Sequence, residues 1–114
     1  MTRIYKICSA SLWREAEDKG FLQRSPDDVR DGFIHFSTAA QLAETGARHF
    51  AGQTDLVLVS VDATALGDAL RYEPSRGGDH FPHLYGPLPV AAVAWARPLP
   101  LGSDGRHAFP DLGS

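Results

Sequence analysis

The stretch "GFIHFSTAAQ", residues 32–41, decides how the rest of the chain is read. Its first half alternates. Phe33, His35 and Ser37 fall on one face of an extended strand and Ile34 and Phe36 on the other, because successive strand side chains point to opposite sides. Its second half has the form of a capping box, with Thr38 as N-cap and Gln41 three residues on. The helix so opened puts Leu42, Ala43, Gly46, Ala47 and Phe50 on one stripe and closes near Gly52. A strand running straight into a helix start leaves His35 and Ser37 beside unpaired N–H groups and a positive dipole end. Such a place suits a hydroxylated or phosphate-bearing ligand. The plainer reading, a core histidine satisfied by backbone carbonyls, stands beside it.

Outward from this junction, "RIYKIC" (3–8) is rich in strand formers. Ser9 and Ser11 offer caps to a following helix with Leu12, Trp13 and Ala16 on one stripe and Gly20 as its stop. "FLQRSPDDVRDG" (21–32) is polar and broken by Pro26, and reads as a loop. "DLVLVSVDA" (55–63) is nearly all apolar, the mark of a central strand. "ALRYE" (69–73) alternates, and "VAAVAWARPL" (90–99) reads as another buried strand. The order β-α-β-α-β-β-β predicts a single α+β domain over residues 1–114, with two helices on a mixed or mostly antiparallel sheet. The turn-rich end, about 102–114, reads as loosely held.

The composition narrows the function classes. At 114 residues with 43% hydrophobic content the chain has the makings of a core without staples. A net charge of −3 offers no general attraction to a nucleic acid duplex or an anionic membrane. No apolar run nears the ~18 residues of a membrane span. The lone Cys8 forbids an internal disulfide and reads as a packed strand residue, and a cytoplasmic setting is expected.

The segment "YEPSRGGDHFPHLYGPLP", residues 72–89, looks like a loop but carries chemistry. Glu73 is held just before Pro74, and Gly77 and Gly78 allow close backbone approach to an anion that Arg76 neutralises. Phe81, His83 and Tyr85 present faces and donors that grip a flat ring. They can equally serve to pin a crossover to the sheet. His80 and His83 have the spacing of a chelating pair, with His35, Glu73 or Asp79 as a third ligand, which opens a metal-dependent hydrolase as an alternative.

The blocks "GFIHFST" (32–38) and "LRYEPSRGGDHFPHLYGPLP" (70–89) resemble the bacterial domain-of-unknown-function family 952, and the resemblance covers nearly the whole chain, from "IYKI" to "VAWARPL". That family in turn resembles a diverged ADP-ribosyltransferase-like fold. There a strand with an aromatic-His-Gly-Thr motif precedes a helix, a strand with a Tyr-Phe-Ser-like motif precedes a second, and a late strand brings a glutamate. By this resemblance His35-Phe36-Ser37 matches the second motif, Lys6 stands where the first motif has histidine, and Glu73 is the late carboxylate. It implies an NAD-type nucleotide or ribose derivative as substrate, with no other cofactor. Glu73, His35 and His83 would be catalytic at an oxocarbenium-like ribosyl centre, and Lys6, Ser37, Arg76 and Tyr85 would bind substrate. Two departures are visible: Lys6 donates but cannot accept as a neutral histidine can, and His35 replaces a tyrosine. A non-catalytic small-molecule binding module in the same pocket is the alternative.

Overall fold

A computed structural model of the chain describes residues 2–22, 25–75 and 78–112. Among the described residues eight strands and three α-helices follow one another: β1 (Arg3–Ser9), α1 (Ala10–Lys19), β2 (Phe21–Leu22), α2 (Pro26–Asp31), β3 (Ile34–His35), α3 (Leu42–His49), β4 (Leu56–Asp62), β5 (Leu70–Pro74), β6 (His80–Leu84), β7 (Leu88–Pro89) and β8 (Val93–Leu99). The expected α+β class with antiparallel pairing holds. Three antiparallel sheets are formed, ordered β1-β4-β8, β3-β6-β5 and β2-β7.

β4 is the central strand of its sheet, and its largely apolar sequence has a physical reason. Leu56 and Leu58 enter one apolar cluster with Tyr5, Ile7, Leu42 and Leu99, while Val59 and Val61 enter the other with Ile4, Cys8, Ala16 and Ile34. Both faces are covered, so apolar residues dominate, and the buried exception, Ser60, accepts from Arg3 Nη1 at 3.3 Å.

Helix α1 begins and ends as its sequence dictates. Ser9 Oγ accepts from Leu12 N at 3.1 Å, and Gly20, at φ 87°, closes the last turn through its N–H to Ala16 O. A residue with a Cβ would be strained in that left-handed conformation.

Several expectations are corrected. Residues 21–32 are not a loop: they contain β2 and α2. The signal lay in "SPDD", since Ser25 caps the helix, Pro26 takes the first turn and Asp28 returns the bond to the cap N–H. Residues 72–89 are likewise mostly a β-hairpin, with β5 pairing β6 from Leu70↔Leu84 to Pro74↔His80. In "VAAVAWARPL" the first three residues form a 3-10 turn. The strand that follows is an edge of its sheet, with most of its residues at least partly exposed. On α3 only Leu42 and Gly46 of the expected stripe are buried, with Ala43 and Ala47 exposed. Apart from these corrections, Phe109 and Leu112 pack against the second cluster.

The two larger sheets meet at a seam. Tyr5 and Ser37 exchange both backbone bonds at 2.8 Å, linking β1 to the residues just after β3. Pro82 shapes the seam: its carbonyl accepts from Phe36 N at 3.0 Å, but it has no N–H to return. The β3–β6 ladder therefore ends at His35↔His83, and the chain turns from β6 toward β1.

Candidate functional site: a histidine and carboxylate cleft at the sheet seam

A cavity of about 610 Å³ opens beside this seam, with Lys6, Cys8, Asp28, Asp31, His35 and His83 among its lining residues. That volume lies within the usual range for small-molecule pockets.

Asp28 organises one wall. Its side chain is about 1% exposed and stands 3.2 Å from Lys6 Nζ. Oδ2 also accepts from Ser25 N at 3.1 Å. Oδ1 accepts from His35 N at 3.1 Å and from His35 Nδ1 at 2.6 Å. Burial pushes this carboxyl up, but the His35 ring bond, the Lys6 charge and the two backbone bonds outweigh it and hold it well below the usual carboxylate range. One residue thus caps α2, fixes the His35 ring and neutralises a buried lysine. Lys6 also donates to His35 O at 3.2 Å.

The second ring nitrogen of His35 meets Asp31 Oδ2 at 2.9 Å. Ionised carboxylates only accept, so both bonds exist together only in the doubly protonated ring. Asp31 is itself held by Arg30, whose Nε lies 3.1 Å from Oδ1. The Arg30 bond, partly opposed by desolvation and helped by His35, lowers the Asp31 carboxyl.

The other half of the site comes from the β5–β6 hairpin, whose His83 lies beside His35 on the same sheet face. His83, 4% exposed, donates from Nδ1 to Glu73 Oε1 at 2.9 Å. Tyr85 OH donates to the same oxygen at 2.7 Å. These two bonds, Tyr85's the larger, hold the Glu73 carboxyl below its ordinary value against a small desolvation cost. The Glu73 bond also raises the Tyr85 phenol. Among the described residues Nε2 of His83 has no hydrogen-bond partner. A carboxylate on Nδ1–H fixes the tautomer that leaves Nε2 free to accept.

Phe33 ties the walls together. Its ring stacks on His83 at 4.0 Å and 21°, and touches His35 at 4.7 Å and Tyr85 at 5.3 Å. The two histidine rings are 5.6 Å apart, edge to face. Arg71 lies over the Tyr85 ring at 5.5 Å.

His35, His83, Glu73 and Tyr85 therefore come together, and Lys6 joins them through Asp28. Ser37 lines the cavity but is 3% exposed and bonded to Thr45 Oγ1 at 2.8 Å. Arg76 lies outside the described residues. His80 is exposed while His83 is buried, as an odd spacing on one strand requires, so the two do not converge on one metal. Among the described residues no group of three or more His, Cys, Asp or Glu side chains is placed to hold a metal ion. Cys8 is packed, and burial, slightly offset by Lys6, pushes its thiol up to about 11.

Sequence reading missed Asp28, Asp31 and Phe33. The first two were hidden by taking "SPDDVRD" for a loop. Phe33 was placed on the His35 face, but its role as the hub of the ring cluster depends on the register of β6.

The arrangement defines a small α+β domain with an acid–base cleft at a sheet seam. Residues 7–96 match the family described as "Protein of unknown function (DUF952)", and the chain belongs to it. It is similar to protein CC0527 from Caulobacter crescentus. Against the crystal structure of that protein the identity is 47%, with 94% of each chain covered and a TM-score of 0.90. Against its solution NMR structure the identity is 48%, with 93% of this chain and 91% of that one covered and a TM-score of 0.84. No curated protein matches. No helix among the described residues is long and apolar enough to cross a membrane.

Proposed function

We propose that the cleft binds a nucleotide or ribose derivative of the NAD type and acts at its ribosyl centre, with His83 as the acid–base group. The observation that carries this reading is the Glu73–His83 pair, which leaves one acceptor nitrogen of a cavity-lining histidine unused. In a transfer of the ADP-ribosyl kind, the bond from C1′ to the nicotinamide nitrogen breaks and that nitrogen keeps the electron pair. The acceptor hydroxyl oxygen bonds to C1′, and its proton passes to His83 Nε2. Glu73 then stabilises the imidazolium formed, as a carboxylate behind a catalytic histidine does. Glu73 is thereby a positioning residue rather than the group that meets the sugar.

His35, held between two carboxylates, suits the ribose hydroxyls or the phosphates as a hydrogen-bonding group. Phe33 and Tyr85 brace the His83 side of the site, Phe33 by stacking on the His83 ring and Tyr85 by holding Glu73. Lys6 is a strut for Asp28 and His35. The order of the strand and helix motifs, and the position of Glu73 on a late strand, support the resemblance to an ADP-ribosyltransferase-like fold.

A second reading, a non-catalytic binding module, is favoured by the saturation of Lys6, Ser37 and His35 with protein partners. One experiment separates the two. NAD and ADP-ribose, each at millimolar concentration, are expected to shift the amide resonances of Phe33, His35 and His83. His83→Ala is expected to lower nicotinamide release about a hundredfold or more while leaving affinity within threefold. Binding without turnover in the wild-type protein gives the module. No shift with either ligand overturns both readings of this ligand class.

A further inference from the structure

The His35 ring is held by two carboxylates of unequal standing. Asp28 is buried and anchored by Lys6, Ser25 N and His35 N as well as the ring. Asp31 is about one third exposed and ends α2, where the carbonyl end of a helix disfavours a carboxylate. Its Oδ1 is held by Arg30, a side chain 69% exposed. Arg30, Asp31 and His35 all line the cavity.

We propose that the Asp31 carboxylate stands in for the oxyanionic end of a ligand. A phosphoryl or carboxylate group entering the cavity takes its place on His35 Nε2 and on the Arg30 guanidinium, and Asp31 swings to solvent. The geometry suits the exchange. Both donors already converge on one carboxylate from 2.9 and 3.1 Å, and an arginine fork accepts either kind of oxyanion. The electrostatics set the resting state. Asp31 already occupies both donors in the free protein, so a ligand must compete with a tethered carboxylate. This contact is independent of the His83 chemistry proposed above, so either can fail alone.

The test uses inorganic phosphate and acetate as probes, titrated into the full chain with NMR detection of the His35 ring and the Asp and Glu carboxyl carbons. In the wild type, phosphate or acetate at tens of millimolar should move the His35 Nε2 and Asp31 carboxyl signals and leave Asp28 unmoved. Asp31→Asn should tighten the probe about fivefold to tenfold by removing the negative charge that competes for the same two donors. Glu44→Gln makes the same change in net charge at an exposed pair with Arg48 and should leave affinity within twofold. Tightening for phosphate alone marks a phosphoryl ligand, and for acetate as well a carboxylate one. The proposal is overturned if neither probe moves the wild-type His35 and Asp31 signals, or if Asp31→Asn binds no tighter than Glu44→Gln.

Discussion

Replacing Asp28 by asparagine tests the group on which one wall of the cleft hangs. The substitution keeps the shape and removes the charge, leaving Lys6 buried with a neutral partner; the two side chains are 6% and 1% exposed. Removing one partner of a buried ion pair costs about 3–5 kcal/mol. The retained amide oxygen can still accept one or two of the four bonds, so the lower end, about 3 kcal/mol, is expected at pH 7. For a chain of this size that is a fall in melting temperature of roughly 10–15 °C. The pH dependence gives the sharper check. The Asp28 carboxyl is lowered in the folded state, so its stabilisation is complete above the unfolded-state value of about 3.9 and fades as pH falls below it. Asparagine has no such slope. The gap between the two proteins should therefore shrink below pH 4, by about 1 kcal/mol at pH 3. Urea unfolding at pH 7, 5 and 3 measures it. Adding Lys6→Met should return at least half of the loss, because the stranded cation is gone. A deficit under about 1 kcal/mol at pH 7, or one that stays constant to pH 3, would refute the assigned role of Asp28.

Other expectations concern separate parts of the molecule. Gly20→Ala, at φ 87° with nothing within 4 Å of the added carbon, should cost about 1–2 kcal/mol through backbone strain alone, and a thermal midpoint equal to wild type would contradict it. Tyr85→Phe removes the largest cause of the lowered Glu73 carboxyl, so a carboxyl NMR titration should show Glu73 moving upward; no movement would mean that the phenol bond does not form in solution. Cys8, buried and raised to about 11, should react with a disulfide reagent at pH 8 about a hundredfold more slowly than a free thiol, because so little of it is thiolate. Prompt stoichiometric labelling would show that it is not packed as described.

What was legible in the sequence was whatever a single segment can state about itself. The Ser9 cap, the Gly20 stop and the apolar run of β4 are local patterns, and each took the form read from it. The seam was not local. Pro82 argues against a central strand when read alone, yet it sits in the middle strand of β3-β6-β5 because the ladder it would have continued ends there. Asp28 was missed for a related reason: a capping carboxylate looks the same in sequence whether or not its other oxygen holds a histidine seven residues on. His35 and His83 were singled out by residue type and by family resemblance, but their side-by-side position on one sheet face follows from register. Trp95, read as buried, lies on an edge strand, where Arg97 covers it at 4.5 Å.

The place of β1 bears on how the chain is made. Synthesis runs from the amino terminus, so β1 exists before both of its neighbours. Ser37 reaches it from about thirty residues downstream, and β4, whose Asp62 pairs with Arg3, emerges later still. β8, the far edge of that sheet, comes last. A ribosome-bound chain that ends before β4 holds Ile4, Tyr5, Ile7 and Cys8 with no sheet partner along β4, and such an uncovered edge is open to mispairing. The β5–β6 hairpin closes within fifteen residues of its own start. Nascent chains cut before β4 and after β4 should therefore differ sharply in protease resistance at β1, while the hairpin needs only its own local turn.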